Sequence, residues 1–114
     1  MVARVEVSLI AELGEPEFVD EMVDLFAELT SEQVRELRSA LDQGDATAVL
    51  RAAHKWKGAC LAMYATTLAD VADALENQGR AGQLDSAREA FNTLEPLVAD
   101  TLSQMRNRPG PSDA

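Results

Sequence analysis

Asp45-Ala-Thr-Ala-Val49-Leu50-Arg51-Ala-Ala53-His54-Lys55-Trp56-Lys57-Gly58-Ala-Cys60-Leu61-Ala-Met63 carries one unbroken apolar stripe. Val49, Ala53, Trp56, Cys60 and Met63 follow at steps of four, three, four and three, the spacing that keeps side chains on one face of an α-helix. Gln43-Gly44-Asp45 marks the boundary before it, a glycine that ends one helix and an aspartate suited to cap the next. His54, the only histidine, lies one position past Ala53 and so about 100° round the helix from it, on the flank of the stripe. Its imidazole is expected to reach solvent.

Outward from this helix the punctuation continues. Gly14-Glu15-Pro16-Glu17 predicts a helix starting near Pro16, because proline suits a first turn and acids there complement the helix dipole. Phe18, Met22, Leu25 and Leu29, then Val34, Leu37 and Leu41, define its expected core face, with a one-residue slip at Thr30-Ser31 that predicts a bend or break. Ala65, Leu68, Ala72 and Leu75 predict a further helix closed by Asn77-Gln78-Gly79. Leu84, Ala87, Phe91, Leu94, Val98, Leu102 and Met105 predict a last long one, kinked where Pro96 removes a backbone hydrogen bond. Val5, Val7 and Leu9 alternate as a strand would, but a short helix over one end of the bundle is the reading adopted for Val2 to Leu13. Residues 1–106 are expected to form one domain, and 107–114, with Pro109-Gly-Pro111-Ser, a disordered tail.

Composition bounds the function. At 114 residues the chain accommodates one small core. Only five aromatic residues, against abundant Ala, Leu, Glu, Asp and Arg, speak for an all-α domain. No apolar run approaches the roughly 18 residues that span a bilayer, no secretory signal opens the chain, and a lone cysteine, Cys60, has no partner for a disulfide. A reducing cytoplasm is the expected compartment. The net charge of −10 disfavours nucleic acid and anionic membrane as partners. Ala46 to Ala69 nevertheless holds Arg51, Lys55 and Lys57 and no acid, an island of +3 that leaves the rest at −13. One histidine and no Glu-x-x-His pair argue against a metal site, and no P-loop is present to make a phosphoryl donor.

The surroundings of His54 suit one kind of chemistry. Helical side chains lean over the preceding turn, so position 58 is the one that would cover residue 54, and it is Gly58. Glycine inside a helix costs about 1 kcal/mol relative to alanine, a penalty that makes sense where something must approach closely. Lys57, three residues on, leans the same way and would favour an anion on the ring. Imidazole is a nucleophile that forms covalent intermediates, and a phosphoryl group on it needs positive charge and open access. The plainer reading is a solvated histidine beside a helix-packing glycine. Trp56 reads as a core anchor and Cys60 as an inert buried thiol.

Gly44-Asp45, Ala52-Ala53-His54, Lys57-Gly58, Ala65, Leu68 and Leu75-Glu76, together with Pro16-Glu-Phe18 and Leu25-Phe26 upstream, resemble the histidine-containing phosphotransfer (HPt) family over nearly the whole chain apart from the tail. The resemblance implies an antiparallel four-helix bundle with a short accessory N-terminal helix. It implies that His54 is phosphorylated on Nε2, that Lys57 supports the phosphoryl group and that Gly58 admits the partner. A response-regulator receiver domain would exchange the group with a phosphoaspartate, and a hybrid histidine kinase would stand upstream. The chain would act as a monomeric carrier without turnover chemistry or cofactor, Mg²⁺ being held by the receiver. Leu50, Arg51, Lys55, Leu61 and Arg80 are the expected partner-binding residues. Three positions depart from the family pattern: Tyr64 stands where glycine is usual, Ala59 where a small hydroxyl residue is common, and Glu76 in place of an amide. Tyr64 and Ala59 leave open a second reading, a helical interaction module that binds a receiver or kinase without transfer.

Overall fold

The computed structural model describes residues 2–110. Six helices follow in order, α1 (Val7–Ala11), α2 (Pro16–Asp42), α3 (Ala46–Ala62), α4 (Thr66–Arg80), α5 (Leu84–Phe91) and α6 (Leu94–Arg106), with no strand among the described residues. Short connections make neighbours antiparallel. Helices α2, α3, α4 and the α5–α6 arm form the bundle, with α3 packed most closely on α4 and then on α2. The expected all-α four-helix architecture is the one found.

The stripe of α3 is the core: Val49, Ala53, Trp56 and Cys60 are fully buried and Met63, just past the helix end, nearly so. Burying side chains the size of Val49 and Met63 contributes about 1.5–3 kcal/mol each. Asp45 caps α3 by accepting the Ala48 amide at 3.0 Å, and Gly44 takes φ +67°, as a helix terminator does. Trp56 donates its indole N–H to Thr30 Oγ1 at 3.0 Å, so the largest core residue has its polar atom satisfied.

That bond explains why α2 does not break. It runs unbroken for 27 residues, and its core face is Val19, Val23, Phe26, Thr30, Gln33, Leu37 and Leu41. Thr30 and Gln33 are polar residues buried on the apolar side, so the periodicity passes through them where a reading of apolar residues alone saw a slip. The displaced residues lie outside: Phe18 is 52% and Leu25 64% exposed.

The expected kinked last helix is two helices. Asn92-Thr93 separates α5 from α6, and Pro96 sits in the first turn of α6, where its missing N–H costs little. Thr93 Oγ1 donates to the Ala90 carbonyl at 2.7 Å, closing the end of α5. Gly79 is likewise no terminator. It is buried inside α4, and a Cβ there would stand 2.8 Å from the Leu50 amide nitrogen and 2.9 Å from the Ala46 carbonyl oxygen of α3. The stop is Gly82 at φ +70°, with the Gln83 amide donating to the Gln78 carbonyl at 2.8 Å.

The N-terminal helix is shorter than the expected segment, because residues 2–6 form no helix. They strap one end of the bundle: the Ala3 amide donates to Asp100 Oδ2 at 2.7 Å, the Arg4 amide to Thr67 Oγ1 at 2.6 Å, and the Glu6 amide to the Tyr64 carbonyl at 3.1 Å. The Ala3 amide, with Gln104, holds Asp100 below the usual carboxylate range. Of the segment expected to be a disordered tail, Arg108 is tied down, donating to the Pro16 carbonyl at 3.0 Å and to Asp20 at 2.8 Å, while residues 111–114 lie outside the described residues.

Gly79→Ala is expected to destabilise the protein by about 1–3 kcal/mol, because the new methyl meets backbone that cannot rotate away. Urea denaturation reads this, and an unchanged midpoint would show that α3 and α4 part without cost.

Candidate functional site

The close approach at Gly79 lays α4 along the His54 flank of α3. Asp73, Glu76, Asn77 and Arg80 recur at the spacing of one helical face, and that face meets His54 and Lys57. Glu76 is the centre. Its side chain is only 8% exposed and meets three groups: His54 Nδ1 at 3.1 Å, Lys57 Nζ at 2.8 Å and Arg80 Nη2 at 3.0 Å. Lys57 above all, then Arg80 and His54, pull its pKa from 4.5 down to about 2 against the opposing effect of burial. Lys57 is correspondingly raised by Glu76 and then by Asp73, whose Oδ1 lies 3.2 Å from Nζ.

An ionised carboxylate can only accept, so the hydrogen in the His54–Glu76 bond belongs to Nδ1. In the neutral ring Nε2 then carries the lone pair. The His54 side chain is 71% exposed, which gives that lone pair access to solvent. A nucleophilic nitrogen of fixed tautomer, backed by an anion and two cations, is the chemical content of the site. Gly58 is exposed and a Cβ there would meet nothing within 4 Å, so the surface beside the histidine is open.

The predicted residues divide between two flanks. Lys57 and Arg80 converge with His54 through Glu76. Leu50, half-buried, and Leu61, 60% exposed, lie on the same side of α3 one turn before and two turns after His54. Arg51 and Lys55 turn toward α2, lining a groove of about 460 Å³ with Glu36, Ser39 and Gln43. The sequence reading missed the Glu76 bond to Nδ1 and the Asp73 partner of Lys57. Their signal is the polar periodicity of α4 at Asp73, Glu76, Asn77 and Arg80. Tyr64 has φ +54° at the end of α3, with the Ala65 amide donating to the Cys60 carbonyl at 2.9 Å, so the position asks for glycine because of its backbone conformation. Cys60 is buried and its thiol is pushed up to about 12, as suits an inert core residue.

Comparison with family models matches the Hpt domain over residues 21–108. The chain belongs to the Hpt domain family. Among solved structures it is similar to the crystal structure of histidine-containing phosphotransfer protein B (HptB) from Pseudomonas aeruginosa PAO1, at 27% identity and a TM-score of 0.81, covering 92% of this chain and 91% of that one. A search of curated proteins gave no match. This Hpt protein is a histidine phosphotransfer component of phosphorelay signalling, and a module that binds without transfer is not favoured. Proteins of the family carry phosphoryl groups and meet receiver domains and histidine kinases of two-component systems. No helix among the described residues is long and apolar enough to cross a membrane.

The depressed pKa of Glu76 has a definite consequence. Its folded-state value lies below the unfolded one, so its contribution is complete above pH 4.5 and is lost as pH falls toward about 2. The stability difference between wild type and Glu76→Gln is expected to shrink across that window. Urea titrations at stepped pH measure it, and a pH-independent difference would remove the ion cluster from the account.

Proposed function

We propose that His54 is the phosphoacceptor, and the observation that carries this is the Nδ1 bond to an ionised Glu76, which leaves Nε2 as the exposed nucleophile. The Nε2 lone pair attacks the phosphorus of an aspartyl phosphate on a receiver domain. The N–P bond forms as the acyl P–O bond breaks, and the receiver's carboxylate is released. The ring gains positive charge while Nδ1 keeps its proton, and Glu76 lies against that charge. Attack on phospho-His54 by a second receiver's aspartate reverses the sequence and passes the group on. The chain itself supplies no cofactor, and Mg²⁺ belongs to the receiver.

Lys57 supports the transferring group without abandoning Glu76. Its second contact, to Asp73, is to an exposed carboxylate whose attraction solvent weakens, so the ammonium is released toward a phosphoryl group at small cost. Gly58 clears the approach.

Docking uses apolar surface on both sides of the histidine. The Trp56–Thr30 bond fixes the register of α3 on α2, and Leu61, five residues on from Trp56, comes level with Leu25, five back from Thr30 on the antiparallel helix. Leu25, Leu61 and Leu50 offer an apolar face beside His54, with Arg51 and Lys55 as a cationic edge for an acidic receiver. A monomer engaging receiver and hybrid kinase in turn suits a contact of less than about 1,200 Å² in total. The buried, unpaired Cys60 fits a reducing cytoplasm.

Incubation with a phosphorylated receiver domain and Mg²⁺ is expected to label the wild type with an acid-labile, base-stable phosphoramidate and to leave His54→Gln unlabelled. Lys57→Ala is expected to slow transfer by about 10²-fold, the scale for losing one preorganised donor. Label retained by His54→Gln would refute the assignment. Gly58→Ala places its methyl in open space and should raise stability by about 1 kcal/mol. Slower transfer in that more stable variant, read by the same assay, would locate its effect at the partner interface, and an unchanged rate would remove Gly58 from the docking face.

A further inference from the structure

A wide groove lies away from His54, between the second half of α2 and the α5–α6 arm. About 700 Å³ in volume, it falls within the range of about 300–1,000 Å³ typical of small-molecule sites. Val34, Phe91, Leu94 and Val98 give it an apolar floor, and Arg35 and Arg38 stand on its α2 rim. The break between α5 and α6 helps create it, since Phe91 ends one helix, Leu94 begins the next and both line the groove.

Its charges are unusual for this protein. Among the described residues, Arg4, Lys57, Arg80, Arg88, Arg106 and Arg108 each meet a carboxylate. Acids outnumber bases 20 to 10, so a cation without an acid partner is the exception. Four remain so, in two pairs. Arg51 and Lys55 edge the proposed docking face. The other pair, Arg35 and Arg38, serves nothing in the phosphotransfer account. The Arg38 guanidinium stacks 5.3 Å from the centroid of Phe91, which holds it over the apolar floor with its N–H edge free for a planar acidic group. Glu95 occupies the α6 rim, so an acidic head is favoured only at the α2 side.

We propose that this groove binds a small amphiphilic anion, with a flat aromatic or short acyl body on Val34, Phe91, Leu94 and Val98 and a single carboxylate or sulfonate head on Arg35 and Arg38. The site is built into the same helix that buries Thr30. Thr30 itself lines the groove and accepts the indole N–H of Trp56, the only tryptophan, which places an optical reporter behind the wall.

The probe is 1-anilinonaphthalene-8-sulfonate, titrated into the full chain with Trp56 fluorescence and probe emission read together. Saturable one-to-one binding is expected, with quenching of Trp56. Arg35→Ala/Arg38→Ala is expected to weaken it at least about tenfold, the scale of one lost charge-assisted hydrogen bond, with unchanged helical content by circular dichroism. Arg51→Ala/Lys55→Ala, which removes the same charge elsewhere, should leave binding unchanged. N-phenyl-1-naphthylamine, the same body without the sulfonate, should bind the wild type and the Arg35/Arg38 variant alike. No saturable binding of the sulfonate, equal weakening by both double substitutions, or full affinity without Arg35 and Arg38 would each overturn the proposal.

Discussion

The absence of one side chain governs the site. At Gly79 the backbone of α4 comes so near that of α3 that a Cβ would fall within 3 Å of both Leu50 and Ala46. Counting from that contact along antiparallel helices, three residues back on α4 is Glu76 and four forward on α3 is His54, so the two arrive level. A wider spacing would separate the carboxylate from the imidazole. The conformational cost of glycine inside α4 is thus offset by a hydrogen bond that sets which ring nitrogen is nucleophilic.

Glu76 in turn depends on its two cations. A carboxylate so little exposed would lose much of its ionisation to burial, and the ammonium of Lys57 above all, with the guanidinium of Arg80, reverses that tendency. Each side chain therefore serves another. Arg80 and Lys57 keep Glu76 charged, Glu76 keeps Nδ1 protonated, and the ring presents Nε2. The proposed transfer needs no deep pocket, because an aspartyl phosphate would arrive attached to a folded partner.

The sequence disclosed the parts whose signals are local. The α3 stripe, the Asp45 cap, the glycine at 44 and the start of α2 at Pro16 all follow from short-range physics, and the structure has each of them. Elements set by tertiary contact were misread. Thr30 and Gln33 look like interruptions until Trp56 is found bonded to Thr30. Gly79 looks like a terminator until α3 is found against it. Pro96 is equally compatible with a kink and with a first turn, and the Thr93 contact that closes α5 lies outside any apolar pattern. His54, Lys57 and Gly58 could be read as a group because imidazole, cation and glycine share one helix. Glu76 held the essential partner bond on another helix, where no spacing within α3 could reveal it.

The strap and the Arg108 anchor have a consequence for how the molecule is attached to anything else. Ala3 is held by Asp100 midway along α6, Glu6 by Tyr64 just past the end of α3, and Arg108 by Pro16 at the start of α2, so the chain enters and leaves the described bundle toward the pole where α2 begins and α3 ends. The opposite pole consists of two glycine turns, Gly44 between α2 and α3 and Gly82 between α4 and α5. A neighbouring domain or a surface tether joined at either terminus would therefore hang from the same end of the rod. His54, halfway along α3, would stay clear of it, free to face one visitor after another.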